Sequence, residues 1–162
     1  MVDPKLLGVA TTAKLGTHPI HPMLIPFPIA LLTSTLASDL AFWSTGNIFW
    51  AEASFYLLAA ALVMSAAAAV AGFADFFGNA RIRSMGDAWR HMVGNLVAVL
   101  LSLLNFIIRW SATPADQVLP WGIVLSAIVF LLLLYTGWKG GTLVYHRRVG
   151  MHPEAPPDRS QT

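Results

Sequence analysis

Four long apolar runs separated by short polar breaks set the pattern of this chain. They read as transmembrane helices over about residues 22–43, 50–77, 89–110 and 121–145. Each is long enough to cross a hydrocarbon core of ~30 Å at about 1.5 Å per residue. The third run has the cleanest periodicity. His91, Asn95, Ala98, Ser102, Asn105 and Arg109 follow at spacings of four, three, four, three and four. That is one seam of a helix packed in a left-handed bundle, and the Leu, Val and Ile around it suit lipid.

Small residues mark packing faces on the other runs. Ala30, Ser34, Ala37 and Ala41 form one on the first, with Asp39 near its end. Ser65, Ala68, Ala69, Gly72 and Asp75 form one on the second. Gly137 and Gly141 make a GxxxG pair on the fourth, a face for a second copy or another membrane subunit. No internal repeat is evident. The fold class that follows is all-α, an integral membrane four-helix transmembrane bundle over residues 18–150. Residues 1–17 read as an N-terminal surface tail or short interfacial helix, and 151–162 as a disordered tail.

Composition agrees. The chain is 56% hydrophobic and 11% charged, with a mean hydropathy of +0.64, where soluble domains carry about 25% charged residues. With no cysteine, disulfides, chain-held iron–sulfur clusters, thiolate zinc and covalent haem are excluded, and histidine is the strong nitrogen ligand left. The basic residues are sorted. Lys5, Lys14, Arg81, Arg83, Arg90, Lys139, Arg147, Arg148 and Arg159 fall on the side of both termini, and Arg109 alone on the other. This positive-inside bias makes both termini cytoplasmic. Trp43, Trp50, Trp110 and Trp121 sit at the far boundary as an aromatic belt. The high pI therefore reflects a lipid bilayer, not nucleic acid.

His18, His21, His91, His146 and His152 all fall on the cytoplasmic side, where the spans could bring them together. Two facing histidines between membrane helices are the usual holders of b-type haem. His91 is the best-placed ligand, opposite His21, with His18 and His146 as further candidates. Arg81, Arg83, Arg90 and Arg147 suit haem propionates. His91 and Arg109 are 18 residues apart, ~27 Å of helix, so such a haem would lie near the cytoplasmic surface.

Other chemistry is weighed beside it. Interfacial histidines can simply anchor helix ends. Copper would use imidazole with Met23, Met92 or Met151, although the bonds His18–Pro19 and His21–Pro22 bias both histidines away from helical geometry. Asp75, His91 and Asn95 could share a proton or quinone pocket, or Asp75 could pair with Arg81 or Arg83. No hydrolase triad, P-loop or dinucleotide fingerprint is present, so the chain is not expected to be an enzyme by itself. A cofactor-free accessory subunit of a larger membrane complex is the rival reading, and a small transporter or sensor a third.

The run His18-Pro19-Ile20-His21-Pro22-Met23-Leu24, with Phe27-Pro28, resembles the opening signature of a bacterial membrane family catalogued as domain of unknown function 2231. Gly72-Phe73-Ala74-Asp75 resembles its Gly-x-x-Asp element, His91 with Asn95 its His/Asn element, and Gly140-Gly141-Thr142-Leu143-Val144-Tyr145, then Val149-Gly150, its close. The resemblance covers roughly residues 17–151. Members often carry a histidine two positions after the tyrosine, where this chain has Arg147 and His146 lies one place early. Some members look fused to Rieske-type domains. The resemblance thus implies a bacterial inner membrane, a redox neighbourhood and, for this chain, a separate redox partner.

Overall fold

The computed structural model describes residues 8–111 and 113–151. Residues 1–7 and 152–162, with Lys5, His152, Arg159 and nearly all of the expected C-terminal tail, lie outside them. The described chain opens with a two-stranded hairpin, β1 (Lys14–Leu15) and β2 (His18–Pro19). Then come α1 (Ile20–Leu24), α2 (Pro26–Thr45), α3 (Ile48–Gly78), α4 (Ala80–Arg83), α5 (Gly86–Trp110), α6 (Pro114–Gln117) and α7 (Ile123–Gly141). Four stretches are long and apolar enough to cross a membrane: 20–45, 48–78, 86–110 and 114–146.

Local chemistry sets the boundaries. Pro22 is the third residue of α1, where no earlier turn offers a carbonyl for its ring to strike. His21 is therefore helical despite the proline after it, while His18 is extended in β2. Pro26 opens α2, where its missing N–H is not needed. Gly46 ends α2 in the left-handed region (φ 66°), and the Asn47 side chain caps α3 by accepting from Phe49 N at 3.0 Å. Leu119 precedes Pro120 and is extended (φ −110°, ψ 138°), which kinks the last span between α6 and α7. Beyond α7 the chain continues as one wide helical turn, Thr142–His146.

The expected face of α2 is corrected. Ala30, Ser34 and Ala37 are exposed, whereas Pro28, Leu32, Thr35, Ser38 and Asp39 are buried. A carboxylate cannot face lipid without a partner, so the face that carries Asp39 is turned inside and Ala30, Ser34 and Ala37 lie outside. On α3 the expected residues Ser65, Ala68 and Asp75 are buried, and on α5 so are Ala98, Ser102, Asn105 and Arg109.

An internal repeat is present in three dimensions. Pro28, Leu32, Thr35 and Asp39 on α2 and Ala98, Ser102, Asn105 and Arg109 on α5 are buried in register, each pair 70 residues apart. Leu58, Ala61, Ala68 and Asp75 match the buried Ser126, Val129, Thr136 and Leu143, each pair 68 apart. The bundle is thus two like helical hairpins, α1–α2–α3 and α5–α7, running in the same sense about an approximate two-fold axis along the bundle. This is the parallel-repeat plan of some membrane proteins. Contacts within each hairpin outnumber those between them.

Four layers stack along that axis. At the end bearing the histidines, Val9 packs with Phe76, Ile82, Ala88 and Leu143. The next layer holds His21 and His91. Leu32, Leu58, Ala61, Ala98 and Val129 fill the middle. Asp39 and Arg109 close the far end. Val9 belongs to the stretch expected to be a surface tail, but residues 8–19 are folded across the bundle end. Val9 N donates to Arg148 O at 2.9 Å, Gly150 N to Val9 O at 2.8 Å, and Ile20 N to Ala13 O at 3.0 Å.

Candidate functional site

The two hairpins bring His21 and His91 together by the same device. The Nδ1 of His21 lies 2.8 Å from the Ala68 carbonyl on α3, and the Nδ1 of His91 lies 2.9 Å from the Thr136 carbonyl on α7. A carbonyl only accepts, so both rings carry a proton on Nδ1, and in the neutral ring the lone pair is on Nε2. One turn beyond each carbonyl is a glycine. A Cβ on Gly72 would stand 3.0 Å from the His21 ring, and a Cβ on Gly140 would stand 3.0 Å from the His91 ring. The ring centroids are 6.2 Å apart with planes at 89°.

Asn95, one turn along α5, completes the group. Its amide nitrogen is 2.8 Å from His91 O and 3.2 Å from His91 Nε2. The hairpin equivalent of Asn95 is Ile25, so the two histidines differ in this one polar neighbour.

The other expected ligands are elsewhere. His18 is exposed, with Nδ1 3.4 Å from Thr17 Oγ1. His146 is exposed in a surface groove with Gly137, Trp138, Gly141, Thr142 and Tyr145. The five histidines therefore do not share one site. Among the described residues no group of three or more ligating side chains could hold an ion. Met23 is exposed and Met92 packs against the Val9 cluster.

Asp75 meets neither His91 nor Arg81 in the contacts seen. Its Oδ1 accepts from Thr12 N and Ala13 N, both at 2.7 Å, and so ties the N-terminal segment to α3. Arg81 is exposed on α4. Arg83 donates to the Phe77 carbonyl. Arg90 stands 3.7 Å from Asp87, which also takes Lys139 and Arg147 at 3.3 Å each.

A second polar constellation, at the far end, escaped the sequence reading. Arg109 and Asp39 are both fully buried and form a two-pronged ion pair, Nη1–Oδ1 2.8 Å and Nη2–Oδ2 2.7 Å. Arg109 Nε donates to Asn105 Oδ1 at 2.9 Å, Nη1 also donates to Ser54, and Nη2 to Ser126 at 3.3 Å. Ser54 and Ser126 in turn donate to Asp39 at 2.5 and 2.6 Å. All five guanidinium donors and both faces of the carboxylate are engaged. Gly122 makes room for it, since a Cβ there would lie 3.0 Å from Arg109 Nη2. Every long helix contributes a residue, and no donor remains for a ligand, so this constellation joins the helices. The seam on α5 signalled Asn105 and Arg109. Nothing local signalled Asp39, 70 residues away.

No curated protein and no solved structure matches the chain. The four spans, with His21 and His91, lie within the stretch matched by one known sequence pattern. The model of that pattern covers residues 17–153, and the chain belongs to the family described as predicted membrane protein (DUF2231).

Proposed function

We propose that this is a redox-associated membrane protein in which His21 and His91 hold one metal centre, the iron of b-type haem first and a cuprous ion second. One observation carries the reading: equivalent histidines of the two hairpins stand with ring centroids 6.2 Å apart, each with Nδ1 committed to a carbonyl so that Nε2 is the nitrogen left to ligate. Such second-shell bonds are how ligating histidines are oriented.

The donor set narrows the metal. Among the described residues no third His, Asp or Glu joins the two, so the pair would suit a centre that takes two imidazoles from the protein. Haem iron qualifies because the porphyrin fills its other positions, and soft cuprous copper tolerates few ligands. Arg81 and Arg90, exposed at the histidine end, are available to carboxylates. Bound there, the metal would supply one-electron chemistry. The chain would orient it, exclude water, and exchange electrons with a separate redox partner. Asn95 would turn its amide away from His91 Nε2 to free the lone pair.

The basic residues at the histidine end, Lys14, Arg81, Arg83, Arg90, Lys139, Arg147 and Arg148, support a cytoplasmic side for both termini in a bacterial inner membrane. A second reading, a cofactor-free accessory subunit or homo-oligomer, draws on Gly137 and Gly141. A Cβ on Gly137 would meet nothing within 4 Å, and one on Gly141 only the Tyr145 ring.

The test is a visible spectrum of protein purified in mild detergent from cells supplied with haem precursor and copper, with metal analysis of the same sample. A Soret band with sharp bands on reduction, lost in His91→Ala and His21→Ala, supports haem. Stoichiometric copper lost in the same variants supports copper. A colourless, copper-free folded protein sinks both.

A further inference from the structure

We infer that the N-terminal segment, residues 8–19, is a gate over the His21–His91 pair, with Val9 as its plug and Asp75 as its latch. This rests on the His21–His91 site as the functional centre, and names what controls access to it.

Val9 is 2% exposed and packs with Phe76, Ala88 and Leu143. Phe76 lies one turn beyond Gly72, Ala88 about one turn before His91, and Leu143 about one turn beyond Gly140. Three helices, drawn from both hairpins, thus meet one valine a single turn outside the imidazole layer. Seen from the nearby end of the bundle, the path to the rings along the axis passes through that side chain.

The plug is held by backbone groups, not by a core of its own. Asp75 takes two N–H groups on one oxygen, from Thr12 and Ala13. Asn79 Nδ2 donates to Ala10 O at 2.8 Å. Gly78 leaves room for Thr12, because a Cβ there would fall 2.2 Å from Thr12 Oγ1. Along α3 the order is Ala68, Gly72, Asp75, Gly78 and Asn79: the first two hold His21, and the last three hold the segment above it. The segment then runs through the β1–β2 hairpin straight into His21. Lifting it and freeing the ring are consequently one motion. On the other hairpin the position of Asp75 is taken by Leu143, whose carbonyl accepts from Val149 N at 3.0 Å. The gate is thus fastened by a carboxylate on one side only. Neutral backbone bonds tie Val9 to Arg148 and Gly150 on the other side, whereas Asp75 holds two N–H groups by the stronger, charge-assisted kind.

The experiment reads histidine access without any metal. The full chain, purified without metal in mild detergent, is treated with diethylpyrocarbonate, and modification is followed residue by residue by mass spectrometry. Exposed His18 and His146 serve as internal references. In the wild type His21 and His91 should react far more slowly than these two. Asp75→Ala and, independently, Val9→Ser should each raise the rates at His21 and His91 by about tenfold or more, as expected for losing two charge-assisted hydrogen bonds or the plug. Asp75→Asn, which keeps an acceptor oxygen, should stay within about threefold of wild type. Reference rates and the helical circular dichroism should not change. Unchanged rates at His21 and His91 in both variants overturn the gate, as does wild-type reactivity already equal to that of His18. If rates rise as stated but no metal ever binds, the gate stands and the metal reading fails.

Discussion

Arg109 and Asp39 occupy equivalent places in the two hairpins, 70 residues apart, and carry opposite charges that meet in a fully buried two-pronged pair. A symmetric pairing of like hairpins would set Asp against Asp or Arg against Arg. The charges therefore fix which hairpin packs on which, as specificity built on repulsion of the wrong partner.

Removing one partner should be costly. Arg109→Ala leaves a buried carboxylate with two serine hydroxyls for company, and is expected to destabilise by about 3–5 kcal/mol. Arg109→Lys should fall close behind, because an ammonium cannot fill the forked geometry. The double variant Asp39→Leu/Arg109→Leu should recover most of the loss, to within about 1–2 kcal/mol. Thermal unfolding in detergent, read as a double-mutant cycle, checks this. A double variant as weak as Arg109→Ala would show that the serines and Asn105 carry the layer.

Glycines on α7 should divide by what they face. Gly140→Ala presses a methyl against His91 and should cost about 1–3 kcal/mol of stability together with any bound metal. Gly137→Ala, which meets open space, should instead stabilise the free chain by up to about 1 kcal/mol through helix propensity. Equal effects in the two variants would contradict the packing described.

Gly72→Ala is the counterpart of Gly140→Ala in the first hairpin. Repeat symmetry predicts a matching loss, about 1–3 kcal/mol, and a matching displacement of His21 from the Ala68 carbonyl. The ring proton resonances of the two histidines, followed by NMR in each variant, report it. A shift confined to one hairpin's variant would break the equivalence.

The cap of α3 offers a local control. Asn47→Ala removes the acceptor of Phe49 N and should cost about 1 kcal/mol, with no change in histidine reactivity or metal content. Thermal unfolding measures the first and diethylpyrocarbonate modification the second.

Much of this was legible in the sequence because lipid enforces a simple rule: long apolar runs, with polar groups turned inward. The seam through Ala98, Ser102, Asn105 and Arg109 could be read directly and is buried as read. The face of α2 could not. Small residues and polar residues compete for the interior, and the face through Thr35, Ser38 and Asp39 wins over that through Ala30, Ser34 and Ala37 because only it carries a carboxylate, which has no partner in hydrocarbon. The repeat was hidden because, beyond His21 with His91 and Gly72 with Gly140, many of its equivalent residues are chemically unlike: Asp39 with Arg109, Thr35 with Asn105, Leu58 with Ser126. What survived was position and burial, which need coordinates to be seen. Asp75 was misplaced for a related reason. A carboxylate near a helix end suggests a neighbouring arginine, but backbone N–H groups more than sixty residues earlier reach it first.

The apolar layer of Leu32, Leu58, Ala61, Ala98 and Val129 lies between the histidine pair and the ion pair. Packed side chains of this kind polarise little. A potential across the membrane would drop mainly over this dry layer, since neither polar layer reaches through it. Charge added to or withdrawn from His21 and His91 would cross little of that field. On the proposed reading, a metal held by the pair should keep the same midpoint in energised and de-energised membranes.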